Sequence, residues 1–292
     1  MTGTQLLQFI LSGTTMGCIY AMVALGFTII FNTTGIVNFA QGDFVMLGAM
    51  LAATFSTNLK LPLVLVVPLS VLGTASIGAL MERTLIHSRK GKHDLFVLVM
   101  MTMGASIVFN ALSLLIWGYD PLFLKAFTGE QPVRIYGATI TPQMLWVVGG
   151  TILVMVLLIV FNRTNVGQGM IACSMNTDAA SAMGIDVKRM VTLSFVISAG
   201  IGGLGGTLIA PITIPTFDLG LIMTLKGFTA AILGGLGNVW GAVIGGLLVG
   251  LIESLSCGFI SSGYRDAITM GILIVMLMVK PSGITGSKYI NK

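Results

Sequence analysis

The sequence predicts an all-α protein that crosses a membrane several times, with about eight or nine transmembrane or re-entrant helices. Only 9% of its 292 residues are charged and 55% are hydrophobic, whereas a soluble domain carries roughly 25% charged residues. The mean hydropathy is +0.99. Several apolar runs approach or exceed the ~20 residues that cross a bilayer as a helix. We therefore expect residues 1–292 to form a single transmembrane domain.

The first half of the chain begins with a charge-free predicted span over residues 6–31. A turn over 32–35 separates this span from an apolar stretch over 36–51, which carries polar side chains near its start. Further spans of sufficient length and hydrophobicity are predicted over 61–81, 95–117 and 143–161.

Three polar side chains, Asn38, Gln41 and Asp43, are embedded in this stretch, with Gly42 between the last two. Lipid cannot satisfy polar groups, so such groups usually face a bundle interior or a watery cavity. One interpretation is that these four residues belong to a half-helix and line a translocation pathway. The other is a helix start at the membrane interface, capped by Asn38 or Asp43. If the stretch crosses the membrane fully, the N-terminus lies outside; if it is re-entrant, the N-terminus lies inside.

The charges of the connections assign them to the two sides of the membrane. Four basic residues in the connection over 82–94 place it in the cytoplasm by the positive-inside tendency. The connection over 118–142 has balanced charges and several turn-forming residues, which is typical of an external loop. Lys280, Lys288 and Lys292 indicate a cytoplasmic C-terminus.

The polar segment over 162–190 contains a pattern that predicts a short amphipathic helix. Asp178 lies near the predicted start, where a carboxylate suits the positive end of the helix dipole. Gly184 lies where a helix commonly ends on glycine. The small side chains of Ala179 and Ala180 allow a partner surface to approach closely. Flanking basic residues place this segment in the cytoplasm.

The second half of the chain contains predicted spans over 191–210, 219–236, 239–255 and 265–279. Two prolines interrupt the chain between the first two, on the outer side. The sequence over 234–246 is too rich in glycine for an ordinary continuous helix. We expect Gly235, Gly237 and Asn238 to face the pathway from the side opposite Asp43.

A short internal repeat links the two candidate pathway segments. Gly-Phe-Thr at 26–28 precedes Asn38 by about a dozen positions, and Gly-Phe-Thr at 227–229 precedes Asn238 likewise. Each triplet leads into a break that contains glycine. Paired broken helices in internal repeats are typical of transporters, although two short matches also arise by chance.

Several kinds of catalytic site have no support in the sequence. His87 and His93 both lie in the basic connection, so no Ser/His pair within the membrane is available. The three cysteines show no metal-ligand spacing, and no GxxxxGK[ST] phosphate loop occurs. We expect the net charge of +5 to set the orientation of the chain in the membrane and its contact with anionic lipid, rather than to bind nucleic acid. We therefore expect neither an enzyme nor a cofactor bound by this chain.

Three segments together resemble a known family: NFAQGDFVMLGA over 38–49, DAASAMGID from Asp178 to Asp186, and GGLGNVWGAVIGG over 234–246. In this order and spacing they are similar to the LivH-type permeases of branched-chain amino acid ABC importers. The resemblance covers nearly the whole chain, and the first and third segments are the more specific in combination.

The resemblance implies an ABC importer permease fold and a pore-forming subunit of a bacterial or archaeal cytoplasmic membrane. A LivM-type permease would pair with it, two subunits would bind ATP and Mg²⁺ inside, and an extracytoplasmic solute-binding protein would deliver substrate. Asp178-Ala179-Ala180-xxx-Gly184 matches the EAA-xxx-G coupling loop of importers, with Asp in place of Glu. Leucine, isoleucine and valine are the leading substrates, while permeases of this type also carry urea and short amides.

This chain departs from the family where the coupling loop usually carries charge. Those positions hold uncharged residues, namely Gln168, Ile171, Met175 and Asn176. Two other classes of protein stay open. An ion-coupled secondary transporter or channel would use Asp43, Lys226 and Glu253 as ionisable groups within the membrane. A membrane scaffold would explain the hydrophobicity but not the polar residues over 38–43.

Overall fold

A computed structural model describes residues 3–87, 95–129, 131–135, 137–259, 261–280 and 282–285. Across these ranges the protein is a bundle of α-helices with one short β-hairpin. The helices are α1 (Gly3–Thr34), α2 (Gln41–Thr57), α3 (Leu63–Met81), α4 (Leu95–Trp117), α5 (Pro142–Phe161), α6 (Asn165–Met175), α7 (Thr177–Ala182), α8 (Val187–Ile209), α9 (Leu219–Gly234), α10 (Val239–Phe259) and α11 (Arg265–Val279). Strands β1 (Val133–Ile135) and β2 (Ala138–Ile140) pair antiparallel.

Seven helical segments in the described ranges are long and apolar enough to cross a membrane: α1, α3, α4, α5, α8, α10, and α11 together with the turn that precedes it, Ser262–Val279, which has 18 residues. Helices α2 and α9 have 17 and 16 residues and are shorter than the ~20 residues of a full span. The predicted all-α polytopic class is confirmed, with the two short helices bringing the number close to the expected eight or nine.

Helix α1 lies at the centre of the bundle. Its residues from Gly17 to Ile30 are all buried, and α5, α6, α8, α9 and α10 contact it. Glycines let α10 approach closely, because a methyl group at Gly13 would lie only 2.9 Å from the carbonyl oxygen of Gly250. Small residues at helix contacts are the usual basis of close packing within a membrane.

The N-terminal end of α1 lies on the face opposite the 162–190 segment. Gln8 exchanges two hydrogen bonds with the backbone of Thr139 in β2, of 3.1 and 2.8 Å. At its other end α1 packs beside α6. Helix α2 returns the chain to the N-terminal face, where Trp117 at the end of α4 donates to the Thr54 hydroxyl at 2.7 Å. The structure therefore agrees with the alternative in which α2 completes the crossing.

Helices α2 and α9 both begin inside the bundle rather than at its surface. Ser198, at the midpoint of α8, donates to Gln41 Oε1 at 2.6 Å. The first turn of α2 meets the first two turns of α9, since Gly220 lies against the Asp43 side chain and the Gly42 amide donates to Thr224 Oγ1 at 3.0 Å. From this junction α2 and α9 run toward opposite faces. Each short helix thus completes a crossing that an extended segment begins.

Two expectations about local structure are corrected by the fold. The 162–190 segment contains α6 in addition to the predicted short helix, and α8 begins at Val187 rather than at residue 191. The glycine-rich sequence over 234–246 is interrupted only over 235–238, and α10 is helical from Val239. Its glycines pack against other helices, as at Gly246, where a methyl group would lie 2.7 Å from the Ala21 side chain.

Two predicted charged regions fall largely outside the described residues. Of the basic connection over 82–94, residues Glu82–His87 extend α3 as a π-helical turn. Residues 88–94, with His93 and three of the four basic residues, are outside the described ranges, as are Lys288 and Lys292.

Candidate functional site

The first candidate site is the short helix α7, which its neighbours cap at both ends. The Asn176 side chain accepts a hydrogen bond from the Ala179 amide at 2.9 Å, which makes Asn176 the N-cap. Gly184 has φ +86°, a conformation that glycine adopts without strain. The Ile185 amide then donates to the Ala180 carbonyl at 3.1 Å and closes the helix end. The predicted helix and its C-terminal glycine are confirmed.

Helix α7 presents a small exposed surface with an apolar rim. Ala180 is buried against the bundle, while Asp178 and Ala179 face outward. Met175 and Met183, which flank the helix, are each 72% exposed. Methionine is flexible and polarisable, and exposed methionines are common on binding surfaces. The rim of this surface is therefore apolar.

Asp186 joins α7 directly to the spanning helix α8. Its carboxylate accepts from the Arg189 amide at 3.2 Å and caps α8, and it pairs with Arg189 Nε at 2.9 Å. Between α6 and this turn lies a groove of about 550 Å³ that includes Gly184 and Ile185. Only two residues, Ile185 and Asp186, separate Gly184 from α8.

The second candidate site is a polar cluster where α2 begins. Asn38, Gln41 and Asp43 are fully buried in the described chain. Asn38 Oδ1 accepts from the Ala40 amide at 3.1 Å, so it forms a local turn just before the helix. Asp43 Oδ1 accepts from Asn110 Nδ2 at 2.8 Å. These groups face the bundle interior, and in this structure they are not exposed to an open channel.

The break before α10 lies at a different depth from this cluster. Asn32 Nδ2 donates to the Gly237 carbonyl at 2.8 Å near the end of α1. Gln41, by contrast, lies against Gly26 of α1. Along the axis of α1, Gly26 is about 9 Å from Asn32. The structure therefore brings together Gln41, Gly42 and Asp43. It places Gly235, Gly237 and Asn238 in a separate group at the face of the 162–190 segment.

Comparison with known proteins identifies the family to which this chain belongs. A family model described as the permease component of branched-chain amino acid transport systems matches residues 9–278. The chain belongs to this family. It is 32% identical to the LivH permease protein of Escherichia coli K12 over 98% of this chain and 97% of that protein. It is 30% identical to BraD of Pseudomonas aeruginosa over the same shares, and 27% identical to a probable LivH of Methanocaldococcus jannaschii over 91% and 88%.

The internal repeat of this permease is visible in its geometry. Asn238 Oδ1 accepts from the Trp240 amide at 3.0 Å, the same two-residue turn that Asn38 makes with Ala40. Gly35 and Gly235, which follow α1 and α9, have φ +70° and +101°. The rings of Phe27 and Phe228, one from each triplet, lie 5.9 Å apart. Both segments therefore share the order of helix, glycine break, asparagine turn and next helix.

A third group of polar residues forms an ion cluster between α9, α10 and α11. Lys226 Nζ lies 3.0 Å from Glu253 Oε1 and 2.9 Å from Asp266 Oδ1. Arg265 also pairs with Glu253, and the Tyr20 hydroxyl donates to Glu253 at 3.1 Å. Because Lys226 and Glu253 pair with each other, the structure does not favour an ion-coupled transporter in which both act as free ionisable groups.

Sequence reasoning missed the residues of α4 that face the second candidate site. Ser106 faces the Asp43 carboxylate beside Asn110, and Thr102 Oγ1 accepts from the Phe39 amide at 3.1 Å. A signal existed, since four polar residues recur at helical spacing in this otherwise apolar span: Thr102, Ser106, Asn110 and Ser113. This periodicity identifies the face of α4 that packs on the bundle.

Proposed function

We propose that this permease forms half of the translocation pathway of an ATP-driven ABC importer for branched-chain amino acids. The observation that carries the proposal is α7, a capped helix exposed outside the bundle and joined directly to a spanning helix. The near full-length similarity to permeases named for high-affinity branched-chain amino acid transport supports the substrate class. The membrane would be the cytoplasmic membrane of a bacterium or archaeon.

Helix α7 is suited to transmit movement of a partner into the membrane. It is held rigid by its two caps, and the turn after Gly184 leads at once into α8. Helix α8 packs against α1, α2, α3 and α5. A displacement of α7 by a closing ATPase would therefore shift a helix that touches much of the described bundle. Such rigid coupling of packed helices is how small local shifts become larger rearrangements.

The proposed partners follow from what this chain lacks. It carries no phosphate-binding loop sequence, so two separate subunits would bind and hydrolyse ATP with Mg²⁺. A related LivM-type permease would supply the other half of the pathway, and an extracytoplasmic solute-binding protein would deliver the substrate. The apolar rim of Met175 and Met183 would fit an apolar cleft on the ATPase.

The coupling role predicts a large loss of uptake when Gly184 is replaced by valine. A β-branched residue at φ +86° is strained, so the helix end and its position on the ATPase should change. We expect uptake and co-purification of the ATPase to fall at least about tenfold, as for a loss of 1.4 kcal/mol or more. Uptake is measured with the reconstituted transporter, and co-purification of the ATPase is measured with affinity-tagged permease.

Two controls separate coupling from general damage. Asparagine tolerates the left-handed conformation, so Gly184→Asn should retain most uptake. Gly104, in α4, has open space around it and no positive φ, so Gly104→Val should leave uptake unchanged. Normal uptake by Gly184→Val would contradict the coupling role.

The substrate class is tested on the cognate solute-binding protein, where selectivity is expected to reside. A ligand that binds only the folded state raises the melting temperature. We expect leucine, isoleucine or valine to stabilise that protein in a thermal-shift screen that also includes urea and short amides. Stabilisation by urea alone would contradict the proposed substrate class, whereas the assignment as an ABC importer would still stand.

A further inference from the structure

The junction where α2 meets α9 contains two buried polar atoms with no hydrogen-bond partner in the described chain. They are Oδ2 of Asp43 and Nδ2 of Asn38, and both residues are 0% exposed. Buried polar groups in native proteins are nearly always paired. One unpaired acceptor and one unpaired donor on neighbouring turns are therefore an exception that needs a physical reason.

The surroundings of these atoms suit a ligand with two opposite charges. The first turns of α2 and α9 converge here, and the N-terminal end of a helix carries partial positive charge. Gly220, in the first turn of α9, lies directly against the Asp43 side chain. Asp43 adds a carboxylate at the same point. The junction thus offers a negative acceptor beside the Asn38 Nδ2 donor and the positive ends of two helices, the complement of an ammonium group joined to a carboxylate.

The junction lies near the middle of the bundle, halfway between its two faces. Gln41 bonds to Ser198 at the midpoint of α8, so the first turn of α2 lies near the middle of the bundle. Half-helices whose N-terminal ends meet near the midplane commonly hold the charged groups of substrates in transporters.

Helix α4 covers the junction and is attached there through side-chain hydrogen bonds. Asn110 donates to Asp43 at 2.8 Å, and Thr102 accepts from the Phe39 amide at 3.1 Å. The outer face of α4 is exposed, as at Ile107 and Val108. Ser106 also faces the Asp43 carboxylate, so a small set of α4 side-chain contacts must break before Asp43 becomes accessible.

We propose that Asp43 and Asn38 form a binding site for the zwitterionic part of the transported amino acid, opened when α4 moves away. Asp43 accepts from the α-ammonium group, and Asn38 Nδ2 donates to the α-carboxylate. This inference rests on the proposed function. It adds a positively charged group as a requirement on the cargo, which urea would not meet.

The test compares Asp43→Asn with Asn110→Ala in the complete reconstituted transporter. Asparagine at position 43 can still accept the hydrogen bond from Asn110, so α4 stays attached while the charge is lost. We expect leucine uptake to fall at least about tenfold, the effect of losing a hydrogen bond to a charged group. ATP hydrolysis stimulated by the loaded binding protein should stay within about twofold, well below the tenfold that 1.4 kcal/mol produces.

Asn110→Ala breaks the same hydrogen bond and keeps the charge, so we expect it to lower leucine uptake much less than Asp43→Asn does. If Asp43 only attached α4, Asn110→Ala would lower uptake as much and Asp43→Asn would lower it little. Uptake by Asp43→Asn equal to that of the unsubstituted transporter would overturn the site while leaving the proposed function standing. An unsubstituted transporter that moves urea and no leucine would overturn both.

A thiol measurement supports the test independently of uptake. In an Asn38→Cys variant with Cys257→Ser, a cationic methanethiosulfonate reagent should label position 38 while the transporter hydrolyses ATP without leucine, and saturating leucine should slow the labelling. Cys18 and Cys173 are buried, and burial raises the pKa of the Cys173 thiol, so background labelling should be low. Labelling at the same rate with and without leucine would overturn the site.

Discussion

Replacing Glu253 with glutamine is expected to destabilise the permease by about 3 kcal/mol, because one charge of a buried ion pair is removed. Glu253 and Lys226 expose only 2% and 5% of their side chains. Without Glu253, Lys226 keeps Asp266 as a partner, so we expect the low end of the range for broken buried pairs. The melting temperature in detergent should fall by roughly 5–10 °C.

The double variant Lys226→Met with Glu253→Gln is the matched control. It removes both charges of the pair and leaves Arg265 and Asp266 to balance each other, and uncharged replacements of buried pairs are often close to neutral. We expect it to recover most of the lost stability. A single variant as stable as the unsubstituted protein would show that the cluster is solvated and contributes little.

Replacing Gly206 with alanine is the second change with a large expected effect. Gly206 of α8 faces the backbone of α2, where an added methyl group would meet the Val45 carbonyl and lie 2.7 Å from the Ala49 nitrogen. Backbone atoms cannot turn aside as a flexible side chain does, so the two helices must separate. Overpacking of this kind costs about 1–3 kcal/mol or more. The melting temperature and the yield of folded protein measure it.

Gly200→Ala, on the same helix, provides the comparison. There the nearest atoms, on Val71 and Ala75, would be at ordinary contact distances of 3.7 and 3.9 Å. Alanine favours a helix over glycine by up to about 1 kcal/mol, so this variant should be neutral or slightly stabilised. Equal melting temperatures for the two variants would mean that α2 and α8 pack less closely than in the structure.

Local features of the fold could be predicted well from the sequence. The bounds of α4 and α11 match those predicted, because apolar runs bounded by charged or turn-forming residues define a span on their own. The C-terminal end of α7 was likewise set by one glycine, Gly184. In contrast, α6 was missed, since its glycines and its moderate hydrophobicity give a weak helical signal between two stronger elements.

Contacts between distant residues could not be predicted in the same way. Nothing near Glu253 in the sequence indicates that Lys226, Arg265 and Tyr20 converge on it. The Asp43 carboxylate accepts a hydrogen bond from Asn110, which lies 67 positions away. The glycines of α10 were read as helix breakers, whereas in a membrane they permit close packing. Local propensity cannot distinguish these two uses of glycine, because the distinction lies in the neighbouring helix.

The central position of α1 has a consequence for how the protein is made. Of the described helices, α1 is synthesised before the others, yet α10, which packs against it through Gly246 and Gly250, is among the last of them to be made. At roughly 5–20 residues per second, α1 waits in the bilayer for about ten seconds or more before this neighbour emerges. Its charge-free sequence lets it do so as a lone helix in lipid. The order of synthesis thus requires a helix that is stable in two solvents, first lipid and then protein.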